Sequence, residues 1–358
     1  MINKYRKVLV TGGAGCIGMP VCEELLKNDV KVVLFDLYEQ ISLVEKHINN
    51  NVEIYYGSIL DDSSLRDAIR GCDAVIHLAA YLGVRRTEIN SLRCLEVNIN
   101  GTKKILDAGI QAGIQKIVFA SSSEVYGEPL KNPITETDLT QGKTVYAISK
   151  LAGEEMIKAF ACEYPNLNYS ILRYFNTYGP HQIAQFVVPK FIRSVLAGKS
   201  PVVYGDGRQQ RSYCYSTDTA RATVETLLKD KANGQVLNVG NSDSLISLSE
   251  LADLVINLCG KKGKVEVITR NSFEKTDRTF SREIITRYCD TAKIIKQLND
   301  KRIKYTKLQK HMGRKFAINH GLKRCSGKYI SILDADDIYL KNKLEKQIDF
   351  LENNKEIK

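Results

Sequence analysis

Apolar runs of four to eight residues recur along the first third of the chain, each followed by a stretch whose apolar positions fall at helical spacing. The runs are Lys7–Val10, Val30–Asp36, Val52–Gly57, Ala74–Ala80 and Lys116–Ser123, and the amphipathic stretches between them include 19–26, 65–71 and 89–112. Runs that are apolar throughout predict strands buried on both faces, and the alternation with helices predicts an α/β fold built on a doubly wound parallel sheet. A further helix is expected from about 145 to Tyr164, and Ser247 with Glu250 forms a capping box at the start of LSELADLVINL.

The first turn of this pattern reads TGGAGCIG, Thr11 to Gly18. Gly12, Gly15 and Gly18 fall where a strand turns tightly, where backbone approaches a ligand and where a helix packs on the sheet. A diphosphate there meets free N–H groups at the positive end of a helix. Asp36 closes the next apolar run, where a carboxylate accepts hydrogen bonds from an adenosine ribose. Leu37 and Tyr38 follow it, with no arginine for a 2′-phosphate, so the expected cofactor is NAD and not NADP. Ala79 and Ala80 end a strand on the ligand-binding edge with small side chains, and His77 within that run reads as a structural histidine.

Tyr146 and Lys150, in TVYAISK, lie one helical turn apart and share a helix face. A phenol, with a reference pKa of about 10, becomes a usable base when an ammonium and a positive nicotinamide stand beside it. The strand before them ends in Ser121, Ser122 and Ser123, followed by Glu124.

Composition changes this picture little. The 358 residues are 43% hydrophobic and 26% charged, with no apolar stretch long enough to span a membrane and no secretory leader in MINKYRKVLV. Nine cysteines are scattered without a CxxC pair, which points to reduced thiols and a cytoplasmic protein. Of the net charge of +11, +8 lies beyond residue 300, where 15 Lys and Arg face 7 Asp and Glu. The body has no basic stripe with interleaved aromatics, so nucleic acid is not an expected partner.

The order TGGAGCIG, Asp36, HLAA, VNINGT, SSSEVYG, YAISK and RYFNTYGP resembles the extended short-chain dehydrogenase/reductase superfamily, in particular its NAD-dependent nucleotide-sugar epimerases and dehydratases, over about residues 5–298. The resemblance implies a Rossmann domain over 1–175, completed by a smaller substrate-binding region over 176–300, and a homodimer formed through a helix bundle. It implies that Gly12, Gly15, Ile17, Gly18, Asp36, Ala79, Asn98 and Lys150 hold NAD, with Ser58 at the position of a usual aspartate near the adenine. Ser122 and Tyr146 then meet the sugar hydroxyl, Lys150 tunes the tyrosine, Asn176 contacts a substrate diphosphate, Val188 lies along the nucleotide, and Arg211 neutralises a phosphate. The segment 287–298 resembles the family's penultimate helix.

The activity expected first is 4-epimerisation of a UDP-hexose by transient oxidation at carbon 4. Glu124 complicates that choice, because decarboxylases and dehydratases of the family carry a glutamate there, able to act at carbon 5. UDP-glucuronate decarboxylation is the main competitor, dehydration a further one, and a non-catalytic NAD-binding scaffold the alternative of another class. No metal is expected in this body.

The basic tail, 301–358, resembles an internal fragment of family 2 glycosyltransferases of the GT-A fold, with Asp334, Asp336 and Asp337 as the acidic cluster after KYISIL. It is too short to carry that fold, and transferase activity is not expected.

Overall fold

The computed structural model describes residues 4–298 apart from 244, 262, 264 and 269–283. The expectations for the tail 301–358 and its three aspartates therefore lie outside the described residues.

Five apolar runs form strands β1 Lys7–Thr11, β2 Lys31–Asp36, β3 Val52–Tyr56, β4 Ala74–His77 and β5 Lys116–Ser122. Between them lie helices α1 Gly18–Lys27, α2 Tyr38–Val44, α3 Asp62–Ile69, α4 Val84–Ile89, α5 Ser91–Leu95 and α6 Gly101–Ala112. The expected long helix over 89–112 is thus divided: Asn90 breaks α4 from α5, and a wider turn over Glu96–Asn100 leads into α6. Helix α7, Val145–Glu163, is followed by β6 Asn168–Tyr174 and β7 Thr177–Tyr178.

Helix α8 Val187–Leu196, strands β8 Val202–Tyr204, β9 Gln210–Ser212 and β10 Cys214–Tyr215, and helix α9 Ser216–Leu228 come next. Then follow β11 Gln235–Val239, β12 Leu245–Ser247, α10 Leu248–Leu258, β13 Glu266–Ile268, β14 Thr286–Arg287 and α11 Ala292–Leu298. The capping box of α10 is present, with Ser247 and Glu250 each bonding the other's backbone N–H.

Seven strands make one sheet in the order β11-β6-β5-β4-β1-β2-β3, and every pairing is parallel. Its strands alternate between two apolar layers: Val8, Val10, Val32, Leu34 and Ile76 face one cluster, while Leu9, Val33, Phe35, Val75 and Phe119 face the other. Burial on both faces explains why the strands read as unbroken apolar runs. The sheet is not confined to 1–175. Strand β11 returns beside β6, and Ala220, Val224 and Leu227 of α9 pack in the same cluster as α1, because the edge of β6 and that face of the sheet need covering.

The chain runs outward from β1 through β2 to β3, then crosses to β4 on the other side. The crevice between β1 and β4 is therefore the switch point where ligands of such sheets bind. A smaller apolar cluster, with Phe191 and Val195 of α8, Val203 of β8 and Leu251, Val255 and Ile256 of α10, supports the second half.

Candidate active site

The glycine turn sits at that switch point. Gly12 has φ +71, and a side chain on it would meet the Ala79 nitrogen at 2.6 Å, so β1 and β4 approach as closely as backbone allows. A Cβ on Gly18 would strike the Gly12 carbonyl, which lets α1 start directly on the turn. Ile17 at the N-cap makes no side-chain cap bond, and Gly15 faces nothing closer than the Gly12 carbonyl, at 3.2 Å. The result is a bare concave run of backbone at a helix N-terminus, suited to a diphosphate.

Asp36, at the end of β2, accepts hydrogen bonds from the N–H groups of Leu37 (2.8 Å) and Ala14 (3.1 Å). Burial pushes its carboxyl above the usual range, and those two N–H groups oppose the shift. It is thereby aimed over the glycine turn, where a ribose of a dinucleotide belongs. Turn, helix start and carboxylate together fit NAD. Ser58, by contrast, accepts the Leu60 N–H (3.2 Å) and so caps its own loop.

His77 is structural, as expected. Its ring nitrogens contact the hydroxyls of Thr11 (2.7 Å) and Thr102 (3.0 Å), and burial lowers its pKa to about 3. Thr11 in turn accepts the Ala79 N–H at 3.4 Å. Asn98 is buried, and its amide is engaged within the protein: it accepts from the Tyr81 N–H (2.7 Å) and donates to the Tyr81 carbonyl (3.1 Å) and the Ser149 hydroxyl (2.9 Å). It joins the loop after β4 to α7.

The catalytic candidates converge where β5 and α7 meet. Thr144 caps α7 by accepting the Ala147 N–H (3.1 Å), and Tyr146 and Lys150 lie on the turn and a half that follow. The Lys150 ammonium donates to the Ala120 carbonyl (2.7 Å) and sits 5.9 Å from the centre of the Tyr146 ring. Burial lowers its pKa to about 8. Desolvation and the Glu124 charge push the Tyr146 phenol above its ordinary value, while a hydrogen bond with Ser122 pulls the other way. Ser122 also accepts the Glu124 N–H (3.2 Å).

Glu124 receives the Thr144 hydroxyl (3.4 Å), and its other oxygen lies 3.8 Å from an Nη of Arg287. Arg287 escaped the sequence reading. The segment 287–298 is not one helix: Thr286–Arg287 pairs with β9, and α11 begins only at Ala292, whose N–H is capped by Asp290 (2.8 Å). Arg287 is 8% exposed, and its Nε is buried without a hydrogen-bond partner among the described residues. Arg287 and Cys289 are buried with Tyr288 half-buried between them, but a strand of two residues leaves too short an alternation to read from the sequence.

The expected substrate contacts fall in the second half. Asn176 follows β6, its carbonyl accepting the Cys214 N–H (2.9 Å) and its side chain beside the Tyr213 hydroxyl. Val188, on α8, packs against the Phe191 cluster. The Arg211 guanidinium donates to the backbone carbonyls of Gln210 (2.7 Å), Ile284 (2.7 Å) and Ile285 (3.2 Å). It thus anchors the strand that presents Arg287.

A parallel doubly wound sheet with a dinucleotide cradle at its switch point, together with a half-buried tyrosine over a buried lysine, defines a dinucleotide-dependent enzyme of the Rossmann class. The chain belongs to the NAD dependent epimerase/dehydratase family, whose model matches residues 8–240. A second model, glycosyl transferase family 2, matches 247–357. The UDP-N-acetyl-alpha-D-glucosaminuronate decarboxylase of Bacillus cytotoxicus is 36% identical over 298 residues, covering 81% of this chain and 90% of its own. A putative UDP-glucose 4-epimerase of Methanocaldococcus jannaschii is 34% identical, covering 72% and 84%. Among solved structures, the UDP-glucuronic acid 4-epimerase from Bacillus cereus, in complex with UDP-glucuronic acid and NAD, superposes with TM-score 0.74 at 27% identity, over 84% of this chain and 95% of that one. NAD is the cofactor of this fold and site. Among the described residues no helix is long and apolar enough to cross a membrane.

Proposed function

We propose that the protein decarboxylates a UDP-linked hexuronate by transient oxidation at carbon 4. The observation that carries this reading is the Glu124–Arg287 pair beside Tyr146. A neutral hexose offers such a pair nothing to neutralise. A uronate brings a carboxylate on carbon 6, and a buried guanidinium with an unpartnered Nε and a partner as distant as 3.8 Å has donors left for it. The decarboxylase among the relatives supports the same choice. This reverses the order expected from sequence, where 4-epimerisation came first.

In this reading Gly12, Gly15, Ile17, Gly18 and Asp36 hold NAD, Lys150 stands at its nicotinamide end, and Ala79, Asn98 and Ser58 border it. Held there, NAD would supply the acceptor for the carbon 4 hydride and the means of its return. Tyr146 takes the proton of the 4-hydroxyl, and the charge of Lys150 favours the phenolate that does so. The resulting 4-keto acid carries its carboxylate β to the ketone. The carbon 5–carbon 6 bond breaks, carbon dioxide leaves, and the electron pair moves to the carbon 4 oxygen. Tyr146 and Ser122 stabilise that oxygen by hydrogen bonding. A proton from water, relayed by Glu124, replaces the carboxyl group on carbon 5, and Tyr146 returns its own proton to the 4-oxygen. Asn176 and Val188 bind the nucleotide diphosphate, with Arg211 acting through the strand it anchors.

The second reading is 4-epimerisation, favoured by the 4-epimerases among the relatives and solved structures. The protein is assayed with UDP-glucuronate, UDP-N-acetylglucosaminuronate, UDP-glucose and UDP-N-acetylglucosamine separately. Release of carbon dioxide from a uronate is the expected result. Inversion at carbon 4 with the carboxyl retained supports the second reading, and turnover of none leaves an NAD-binding scaffold.

A further inference from the structure

Behind the catalytic face runs a buried polar chain that takes no part in the reaction as described. Glu154 stands one helical turn beyond Lys150 on α7, and its carboxylate is 1% exposed. It accepts Arg173 through Nε (3.0 Å) and Nη2 (2.7 Å), and also the Ser121 hydroxyl. Arg173, on β6 and 5% exposed, donates through Nη1 to the Tyr126 hydroxyl (3.0 Å), which donates to Asn238 Oδ1 (2.6 Å). The Asn238 amide donates to the Ile134 carbonyl (3.1 Å), and its backbone N–H to the Glu136 carboxylate (2.8 Å).

The placement of the ends matters. Ser121 and Tyr126 flank Ser122 and Glu124 in the chain, and Glu154 shares a helix with Tyr146 and Lys150. A buried ion pair is a poor source of stability, because desolvation offsets its attraction and a well-packed apolar pair does as well. What a forked guanidinium on a carboxylate supplies is a fixed distance and direction. We infer that Glu154, gripping Arg173 and Ser121, is a positioning residue that sets the end of β5 bearing Ser122, and the turn after it bearing Glu124, against the helix bearing Tyr146 and Lys150. The inference rests on the proposed carbon 4 oxidation for its kinetic readout only.

The test compares wild type with the double variant Glu154→Met/Arg173→Met, which leaves no lone buried charge. NAD content and KM for the uronate are expected to stay unchanged while kcat falls by about 10- to 100-fold, the scale of a misplacement near 1 Å. A second readout needs no turnover: ultraviolet titration of tyrosinate, each protein minus its own Tyr146→Phe counterpart, isolates the ionisation of that phenol. It is expected to move in the double variant. An equal kcat together with an unmoved titration overturns the inference. If the double variant does not fold, Ser121→Ala, which deletes one hydroxyl, is read by the same two measurements with the same opposed outcomes. Wild type that turns over no nucleotide sugar defeats the proposed function, and the titration still decides this inference.

Discussion

The Arg287 guanidinium reaches to 3.8 Å from the Glu124 carboxylate, joining a two-residue strand near the end of the enzyme body to the serine-rich strand end at its centre. Neither residue is unusual alone. Together, in the proposed reading, they receive the acid group of the sugar beside Tyr146.

Removing the arginine therefore acts on the uronate specifically. Arg287→Met is expected to lower kcat/KM for a UDP-hexuronate by about 10²-fold or more, the effect of losing a charge-assisted contact in a desolvated site. NAD content, measured by release on denaturation, is expected to stay unchanged. An undiminished rate of carbon dioxide release contradicts the assigned role.

Tyr146→Phe keeps the ring and deletes the proton acceptor. Its kcat is expected to fall by about 10²- to 10⁴-fold, the usual contribution of a positioned acid–base group. NAD stays bound, because the contacts of the glycine turn and Asp36 are untouched. A scaffold protein would tolerate the change, which steady-state kinetics checks directly.

Lys116 gives a stability test separate from the active site. It is fully buried, donates to the Thr226 carbonyl (2.7 Å), and burial lowers its pKa from 10.5 to about 8. The unfolded chain then binds more protons between those values, so this lysine's contribution to stability rises with pH through that window and is lost as pH falls through 8. Between pH 8 and 10.5 wild type is expected to gain on Lys116→Met by on the order of 2 kcal/mol. Urea unfolding of both proteins across the window reads the difference; a difference independent of pH refutes the lowered pKa.

An assembly surface is the fourth expectation. Ile89 of α4, Leu92 of α5 and Ile148 of α7 are exposed by 64%, 84% and 50%. Large apolar side chains on neighbouring helices are what an association face would present, and the homodimer that the family resemblance implies would cover them. Leu92→Glu is expected to shift the protein toward monomer in sedimentation velocity. An unchanged sedimentation coefficient places any dimer interface elsewhere.

Much of the nucleotide half was legible in the sequence because its signals are local. Strands buried on both faces must be apolar at every position, and the glycines are needed where β1 meets β4 and where α1 starts on the turn, so both leave runs of letters. The capping box of α10 is local too. Asn98 and Arg211 were located, but the structure ties them to Tyr81, Ser149 and the carbonyls of 284 and 285, partners set by folding and not by spacing. Arg287 went unnoticed for the same reason. A strand of two residues has too little periodicity to register, and its value lies in meeting Glu124 from a distant part of the chain.

The most direct measurement uses a UDP-hexuronate carrying deuterium on carbon 4, with the product analysed by mass spectrometry. Loss of carbon dioxide with deuterium still on carbon 4 is the expected result, since a captive cofactor takes the label and gives it back. A product that keeps its carboxyl group, or one that has exchanged the label with solvent, contradicts the account.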